Sequence, residues 1–270
     1  MKIGMLITAR NKSTRLPLKL LYEIGGKRVI DRVIERCKAV SFVDQVILCT
    51  SPHPQDALLA ETAFKHGIYY FTGDPEDVLR RLYDAATFFS LDYVLSITAD
   101  DPFFSVEYAN RLANQARLTT PDYMAVEGLP IGAGLYGIRY EALKTVIEFK
   151  HRTDTEIWGY WLNRPDLFDV HLFQAEAGEA RDIRLTLDTA DDLAFLRSLA
   201  DHLCPQAGMS YRSLLAAADR MPAELFVNRH VQQLKPPDAV IEDINERYAK
   251  NRELFAAIKE GNYLKQRRNR

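Results

Sequence analysis

Four cations, Arg10, Lys12, Arg15 and Lys19, share ten residues with the hydroxyls of Ser13 and Thr14. Arginine offers phosphate a two-pronged fork, lysine a point charge, and loop amides a concave nest. The cluster suits a phosphate group, and Pro17 stiffens it. A solvated basic loop is the plainer alternative. Neither GxxxxGK[ST] nor GxGxxG is present, so this is no Walker loop and no dinucleotide fingerprint. Asp100 and Asp101 in ITADDPFF form a second constellation. Adjacent carboxylates point different ways, so one can face a ligand and hold Mg²⁺ against phosphates. Capping of a helix that starts near Ser105 is the other reading. Asp188 in LTLDTADDL is open in the same way, as metal ligand or helix cap. Gly132, Gly134 and Gly137 permit close backbone approach, for a substrate wall or for a tight hairpin. The six histidines form no HxxxH pair, and Ser13 sits in no G-x-S-x-G elbow.

These residues need elements to hold them. Ile3 to Thr8 reads as a buried strand that ends at the basic segment. Gly25 and Gly26 make a turn, and Val29, Ile30, Val33, Ile34 and Cys37 fall on one helical stripe. Val43 to Thr50 is a second strand, its VILC run buried on both faces. A helix over Gln55 to His66 stops at Gly67. Ile68 to Phe71 is a third strand, and Asp74-Pro75 starts a helix whose apolar face is Val78, Leu79, Leu82, Ala85 and Ala86. Tyr93 to Thr98 is a fourth strand. Such alternation is the doubly wound α/β pattern, whose ligands sit at the carboxyl ends of the strands. The loops after Thr8, Thr50 and Thr98 should therefore line one cleft.

Beyond this, Tyr123 to Val126, Leu167 to Phe173 and Asp182 to Leu187 read as strands, with another in GLPIGAGLYGI. His151 to Asn163 reads as a helix. Another begins at Asp188-Thr189, with Asp188 and Asp191 at capping-box spacing and Leu193, Leu196 and Leu199 facing the core. After Pro205 the apolar density falls. A helical extension from about Tyr211 is expected, with one long helix over Asp238 to Lys259 carrying Ile241, Ile244, Tyr248 and Phe255. The expected division is 1–205 and 206–270.

The chain has 270 residues, 47% of them hydrophobic and 27% charged, with a net charge of -2. No overall positive field draws it to nucleic acid or acidic lipid. MKIGMLITA is too short for a bilayer span or a secretory core. The odd set Cys37, Cys49 and Cys204 has no metal spacing, so a reducing, cytoplasmic setting is expected.

The separated motifs together resemble a known family. TARNKSTRLPLKLL is similar to QAR-x-GSTRLPGK-x-L of the cytidylyltransferases of the spore coat polysaccharide biosynthesis SpsF type, relatives of the CMP-acidic-sugar synthetases. Arg10, Ser13, Thr14, Arg15, Leu16, Pro17 and Lys19 match, while Lys12 and Leu18 replace glycines. IGGKRVIDRVIER, FTGDPEDVLRRLYDAA, ITADDPFF and LTLDTADDL resemble further family segments, in order, over roughly residues 1 to 200. The resemblance implies a Rossmann-like nucleotidyltransferase fold, GT-A-like and three-layered, with a mainly parallel sheet and a helical C-terminal extension. It implies CTP as donor, Mg²⁺ as cofactor on Asp100 and Asp188, and a homodimer. Arg15, Lys19, Asp100 and Asp188 would be catalytic. Nucleotide contacts would come from Ala9, Arg10, Asn11, Lys12, Ser13, Arg15, Lys19, Thr50, Gly73, Arg81 and Thr98. The family's REHVTPY-like segment is replaced here by DTEIWGY, which implies a changed small-molecule acceptor met by Asp101, Gly134, Glu156 and Trp158. Two rival readings are a sugar-1-phosphate nucleotidyltransferase that uses another NTP, and a non-catalytic nucleotide-binding or scaffold protein.

Overall fold

The structure is a computed structural model that describes residues 1–203 and 210–268. Cys204 and the expected boundary after residue 205 lie outside the described residues. The element order opens β1 (Ile3–Thr8), β2 (Glu23–Ile24), β3 (Lys27–Arg28), α1 (Val29–Lys38), β4 (Gln45–Thr50), α2 (Ala57–His66), β5 (Tyr69–Thr72), α3 (Val78–Phe88) and β6 (Tyr93–Thr98). It continues α4 (Val106–Thr119), β7 (Tyr123–Glu127), β8 (Tyr136–Arg139), α5 (Tyr140–Phe149), β9 (Val170–Gln174), α6 (Ala190–Asp201), α7 (Tyr211–Ala218), α8 (Asp238–Lys250) and α9 (Arg252–Arg268).

Seven strands form one sheet in the order β5-β4-β1-β6-β8-β7-β9. All run parallel except β8, which is antiparallel to β6 and β7. Successive side chains of a strand point to opposite faces, so a strand buried on both sides must be apolar at every position. β1 shows this: Met5 and Ile7 join the core under α1, α4 and α6, while Leu6 joins the core under α3 and α5. Full burial of one such side chain is worth about 1.5–3 kcal/mol. The C-terminal helices add to both cores, with Tyr211 and Leu214 in the first and Ile244, Tyr248 and Phe255 in the second. Among the described residues no helix is long and apolar enough to cross a membrane.

The strand expected from Val43 starts at Gln45. The helix expected at Asp74-Pro75 starts at Val78, capped by the Asp77 side chain. Asp74 instead turns back on the amides of Glu76 and Asp77 and closes a loop before the helix. Segment 151–163 is no helix. Thr155 hydrogen-bonds Asp77 and the Leu79 amide and pins the chain across the start of α3, leaving only a 3₁₀ turn at Gly159–Trp161. Segment 182–187 is no strand either. It is held by single bonds, Leu185 N to Ile131 O at 2.7 Å and Leu187 N to Asp100 O at 2.8 Å. The capping box lies one residue later than the spacing suggested, between Thr189 and Asp192. The long C-terminal helix breaks at Asn251 into α8 and α9.

Candidate active site

The carboxyl ends of β1, β4 and β6 meet at one edge of the parallel sheet, as their register requires. Lys19 stands in a 3₁₀ turn after the basic loop, with Asp100 just past β6 and Asp188 just before α6. Lys19 Nζ lies 2.5 Å from Asp100 Oδ2 and 2.8 Å from Asp188 Oδ1. Arg15 reaches the same Asp188 oxygen at 3.0 Å. Arg184 grips the other Asp188 oxygen and also donates to Asp192 Oδ1 at 3.0 Å. Asp192 Oδ2 accepts the amides of Asp188 and Thr189, each at 2.9 Å. Burial works to discharge Lys19, but Asp100 and Asp188 outweigh it and hold the ammonium well above the usual lysine value. Burial likewise opposes ionisation of Asp188, yet Lys19, Arg15 and Arg184 bring its carboxyl below the usual range.

Asp101 points elsewhere. Its carboxylate accepts from Thr98 Oγ1 at 2.7 Å and also meets Thr186. Burial and the charge of Asp100 push it up to about 7. Neither aspartate caps the following helix, because Ser105 does. Two aromatic walls stand nearby, Tyr136, which the sequence reading missed, and Trp158, which it named. Tyr136, at the start of β8, lies close enough for Asp101 to raise its phenol, after burial, above the usual tyrosine value. Trp158 is buried edge-on against Tyr136 at 5.0 Å and Tyr123 at 6.5 Å. Gly134 lies by the Val126 carbonyl, while Gly132 has φ +85 and no room for a side chain against Thr186. Glu156 is exposed and faces Arg10 at 3.8 Å rather than a closed pocket.

The other half of the loop leans toward β4. Arg10 donates to the Pro75 carbonyl and pairs with Glu76 at 3.3 Å, and Lys12 pairs with Glu76 at 3.1 Å. Ala9 N bonds Cys49 O at 2.9 Å, and Asn11 N bonds Asp56 Oδ1 at 2.7 Å. Around the end of β4, Asn11 Oδ1, Thr50 Oγ1 and Arg81 Nε and Nη1 are buried without hydrogen-bond partners. Gly73 lets Arg81 in, because a Cβ there would sit 3.1 Å from Arg81 Cγ. Burial, then the nearby Arg10, lowers Arg81 below the usual arginine value. Unsatisfied buried polar groups are costly and rare, and four such atoms lie together here. Ser13 stays local, accepting the Leu16 amide at 3.3 Å.

Among the described residues no three His, Cys, Asp or Glu side chains converge. Asp100 and Asp188, the pair expected to hold a metal, both face Lys19 Nζ. Cys37 and Cys49 are buried, and burial drives both thiols up, Cys49 to about 12, so neither is a nucleophile.

Comparison with known proteins agrees with this fold. Spore coat polysaccharide biosynthesis protein SpsF of Bacillus subtilis is 26% identical over 228 residues, covering 82% of this chain and 95% of its own. A cytidylyltransferase of Leptospira borgpetersenii superposes with a TM-score of 0.78 at 23% identity, over 87% of this chain and 99% of that one. A CMP:2-keto-3-deoxy-manno-octonic acid synthetase complexed with CTP superposes with a TM-score of 0.61 at 18% identity, over 74% of this chain and 99% of that one. The cytidylyltransferase family model matches residues 5–209, the span that carries every residue of the cleft, and the chain belongs to the cytidylyltransferase family of nucleotidyltransferase enzymes.

Proposed function

We propose that this enzyme transfers CMP from CTP to a hydroxyl of a small polar acceptor, with Mg²⁺, in surface polysaccharide or glycan synthesis in the cytoplasm. One observation carries the reading: Asp100 and Asp188, far apart in sequence, converge on one cationic point, Lys19 Nζ, at 2.5 and 2.8 Å. Two carboxylates completed by substrate phosphates are a usual oxygen set for Mg²⁺, and these two fit it. Mg²⁺ held there would neutralise phosphate charge and make an acceptor hydroxyl more acidic.

The chain's own residues do the rest. Lys19, Arg15 and Arg10 hold the triphosphate and offset charge on the departing pyrophosphate. Asn11, Thr50 and Arg81 offer both donors and an acceptor to the base, and cytosine presents both. The acceptor oxygen attacks the α-phosphorus in line. A new P–O bond forms, the bond to the bridging oxygen of the β-phosphate breaks, the hydroxyl proton passes to water, and pyrophosphate leaves. Positioning dominates such chemistry. Asp101, Thr98, Thr186, Tyr136, Gly134 and Trp158 border the space left for the acceptor, with Glu156 at its rim.

A sugar-1-phosphate acceptor would need free cations on that side. Lys150 is tied to Asp77, Arg152 to Asp243 at 3.1 Å, Arg139 to Glu141 at 2.8 Å and Lys144 to Glu148 at 3.9 Å. That supports a hydroxyl nucleophile over a phosphate one. The test is pyrophosphate release with each NTP and Mg²⁺ against sugars, acidic sugars, sugar phosphates and polyols. Release confined to CTP is expected, and release confined to another NTP sinks the CMP assignment.

A further inference from the structure

We propose that Arg184 is a positioning residue that leaves Asp188 one oxygen for the metal, and so sets a preference for Mg²⁺ over Ca²⁺. The inference rests on the metal reading of Asp100 and Asp188 given above. The backbone around Asp188 is pinned at three points. Leu185 N bonds Ile131 O at 2.7 Å, Leu187 N bonds Asp100 O at 2.8 Å, and Asp188 N bonds Asp192 Oδ2 at 2.9 Å. The freedom that remains lies in the Asp188 side chain, and Arg184 removes it. Arg184 Nη2 donates to Asp188 Oδ2, while Nε donates to Asp192 Oδ1 at 3.0 Å. Asp188 Oδ1 is left to face Lys19 at 2.8 Å and Arg15 at 3.0 Å. One oxygen thus serves the cleft, and the other is closed off by a buried guanidinium.

The environment of Arg184 fits this task. Its side chain is 5% exposed and that of Asp192 is 0% exposed, so water competes little for the pair. A planar fork bridges two carboxylates at once, which the point charge of an ammonium does not. Arg184 Nη1 is buried without a partner, a cost that packing alone does not explain. The coordination habits of the two ions then decide. Mg²⁺ demands near-octahedral geometry and keeps much of its water, so single carboxylate oxygens suit it. Ca²⁺ takes about six to eight oxygens and accepts a carboxylate through both of its own. With Oδ2 held by Arg184, Asp188 has one oxygen to give. Loss of Arg184 frees the second and favours the larger ion.

Calorimetry of CTP binding in Mg²⁺ and in Ca²⁺ reads the proposal without turnover. The wild-type chain is expected to bind CTP more tightly in Mg²⁺. In Arg184→Met the ratio of the two affinities is expected to fall by about 10-fold or more. Arg184→Lys keeps the charge but cannot bridge Asp188 and Asp192, so its ratio should fall as well, and it supplies the reading if Arg184→Met does not fold. Asn228→Leu loosens the same corner, where Asn228 donates to the Arg184 carbonyl and to Asp192, without touching Asp188. It is expected to leave the ratio at the wild-type value. An unchanged ratio in the folded Arg184 variants overturns the proposal, and so does an equal fall in Asn228→Leu. A wild-type chain that needs a metal but binds CTP equally with either ion also overturns it. Wild-type binding of CTP that ignores both ions removes the metal reading itself, and the proposal with it.

Discussion

Asn228 donates from Nδ2 to Asp192 Oδ1 at 3.0 Å, the same oxygen that receives Arg184 Nε at 3.0 Å. A residue of the C-terminal extension thereby braces the carboxylate that fixes the backbone of Asp188. Asn228 is 2% exposed and also donates to the Arg184 carbonyl at 3.2 Å. Asn228→Leu leaves both acceptors buried and short of a donor. A loss of about 2–3 kcal/mol is expected from urea unfolding. A midpoint unchanged from wild type would show that the brace carries no stability.

Asp100→Asn and Asp188→Asn each remove half of the converging pair. Pyrophosphate release in Mg²⁺ is expected to fall by about 10²–10³-fold for either. Asp188→Asn also strips the shared counter-charge from Lys19, Arg15 and Arg184, so it should be the less stable of the two. Full turnover in both variants would remove the proposed mechanism.

Arg81→Met separates binding from folding. The guanidinium is buried with Nε and Nη1 unpartnered, an arrangement that is costly until a ligand satisfies it. Calorimetry should show CTP affinity weakened by about 10-fold or more, while the melting temperature holds or rises. A variant that melts lower and binds CTP normally would make Arg81 a packing residue.

Leu18 has φ 55, in the left-handed region that leucine disfavours, and is 47% exposed. Leu18→Gly loses little packing and relieves that strain. A gain of about 0.5–1 kcal/mol is expected from chemical unfolding. A loss of that size would mean that the Leu18 contacts outweigh its backbone cost.

Asp31 accepts from Arg28 Nε at 2.6 Å and Nη2 at 2.7 Å, and faces His66 at 2.9 Å. Burial opposes its charge, but the hydrogen bonds from Arg28 and His66 outweigh it and hold the carboxyl below its ordinary 3.8. A carboxyl lowered on folding stabilises above its unfolded value, and that share is lost as pH falls through the folded one. Half-exposed pairs are screened, so the share is about 0.5–1 kcal/mol. The stability gap between wild type and Asp31→Asn should be present at neutral pH and close below 3.8. A gap that widens with acid contradicts the assignment.

Much of this was readable in advance because the parallel half of the sheet is regular. Strands β1 and β6 fall where the apolar runs lie, and their ends place Lys19 and Asp100 without further information. The side proposed for the acceptor was less legible. Segment 151–163 is dense in aromatics, and Trp158 and Trp161 are buried by packing across strands and helices rather than by helical period. Its backbone follows Thr155, whose partners on α3 are distant in sequence. Helix α5 was passed over, since its apolar face runs straight on from β8 with no loop between. Arg184 was missed because its use depends on Asp188 and Asp192 curling back at the start of α6. Tyr136 gave no local signal, since only strand order brings it beside β6.

At the sheet's edge, Lys19, Arg15 and Arg184 face Asp100, Asp188 and Asp192, three positive groups against three negative ones. The resting cleft is thus electrically self-sufficient. On the proposed chemistry, a divalent ion arriving alone finds its seat held by an ammonium and gains little by evicting it. One arriving on a triphosphate brings the negative charge that draws Lys19 away. Nucleotide and metal should then enter as a single particle, and the order of addition is written into the latch that Lys19 forms.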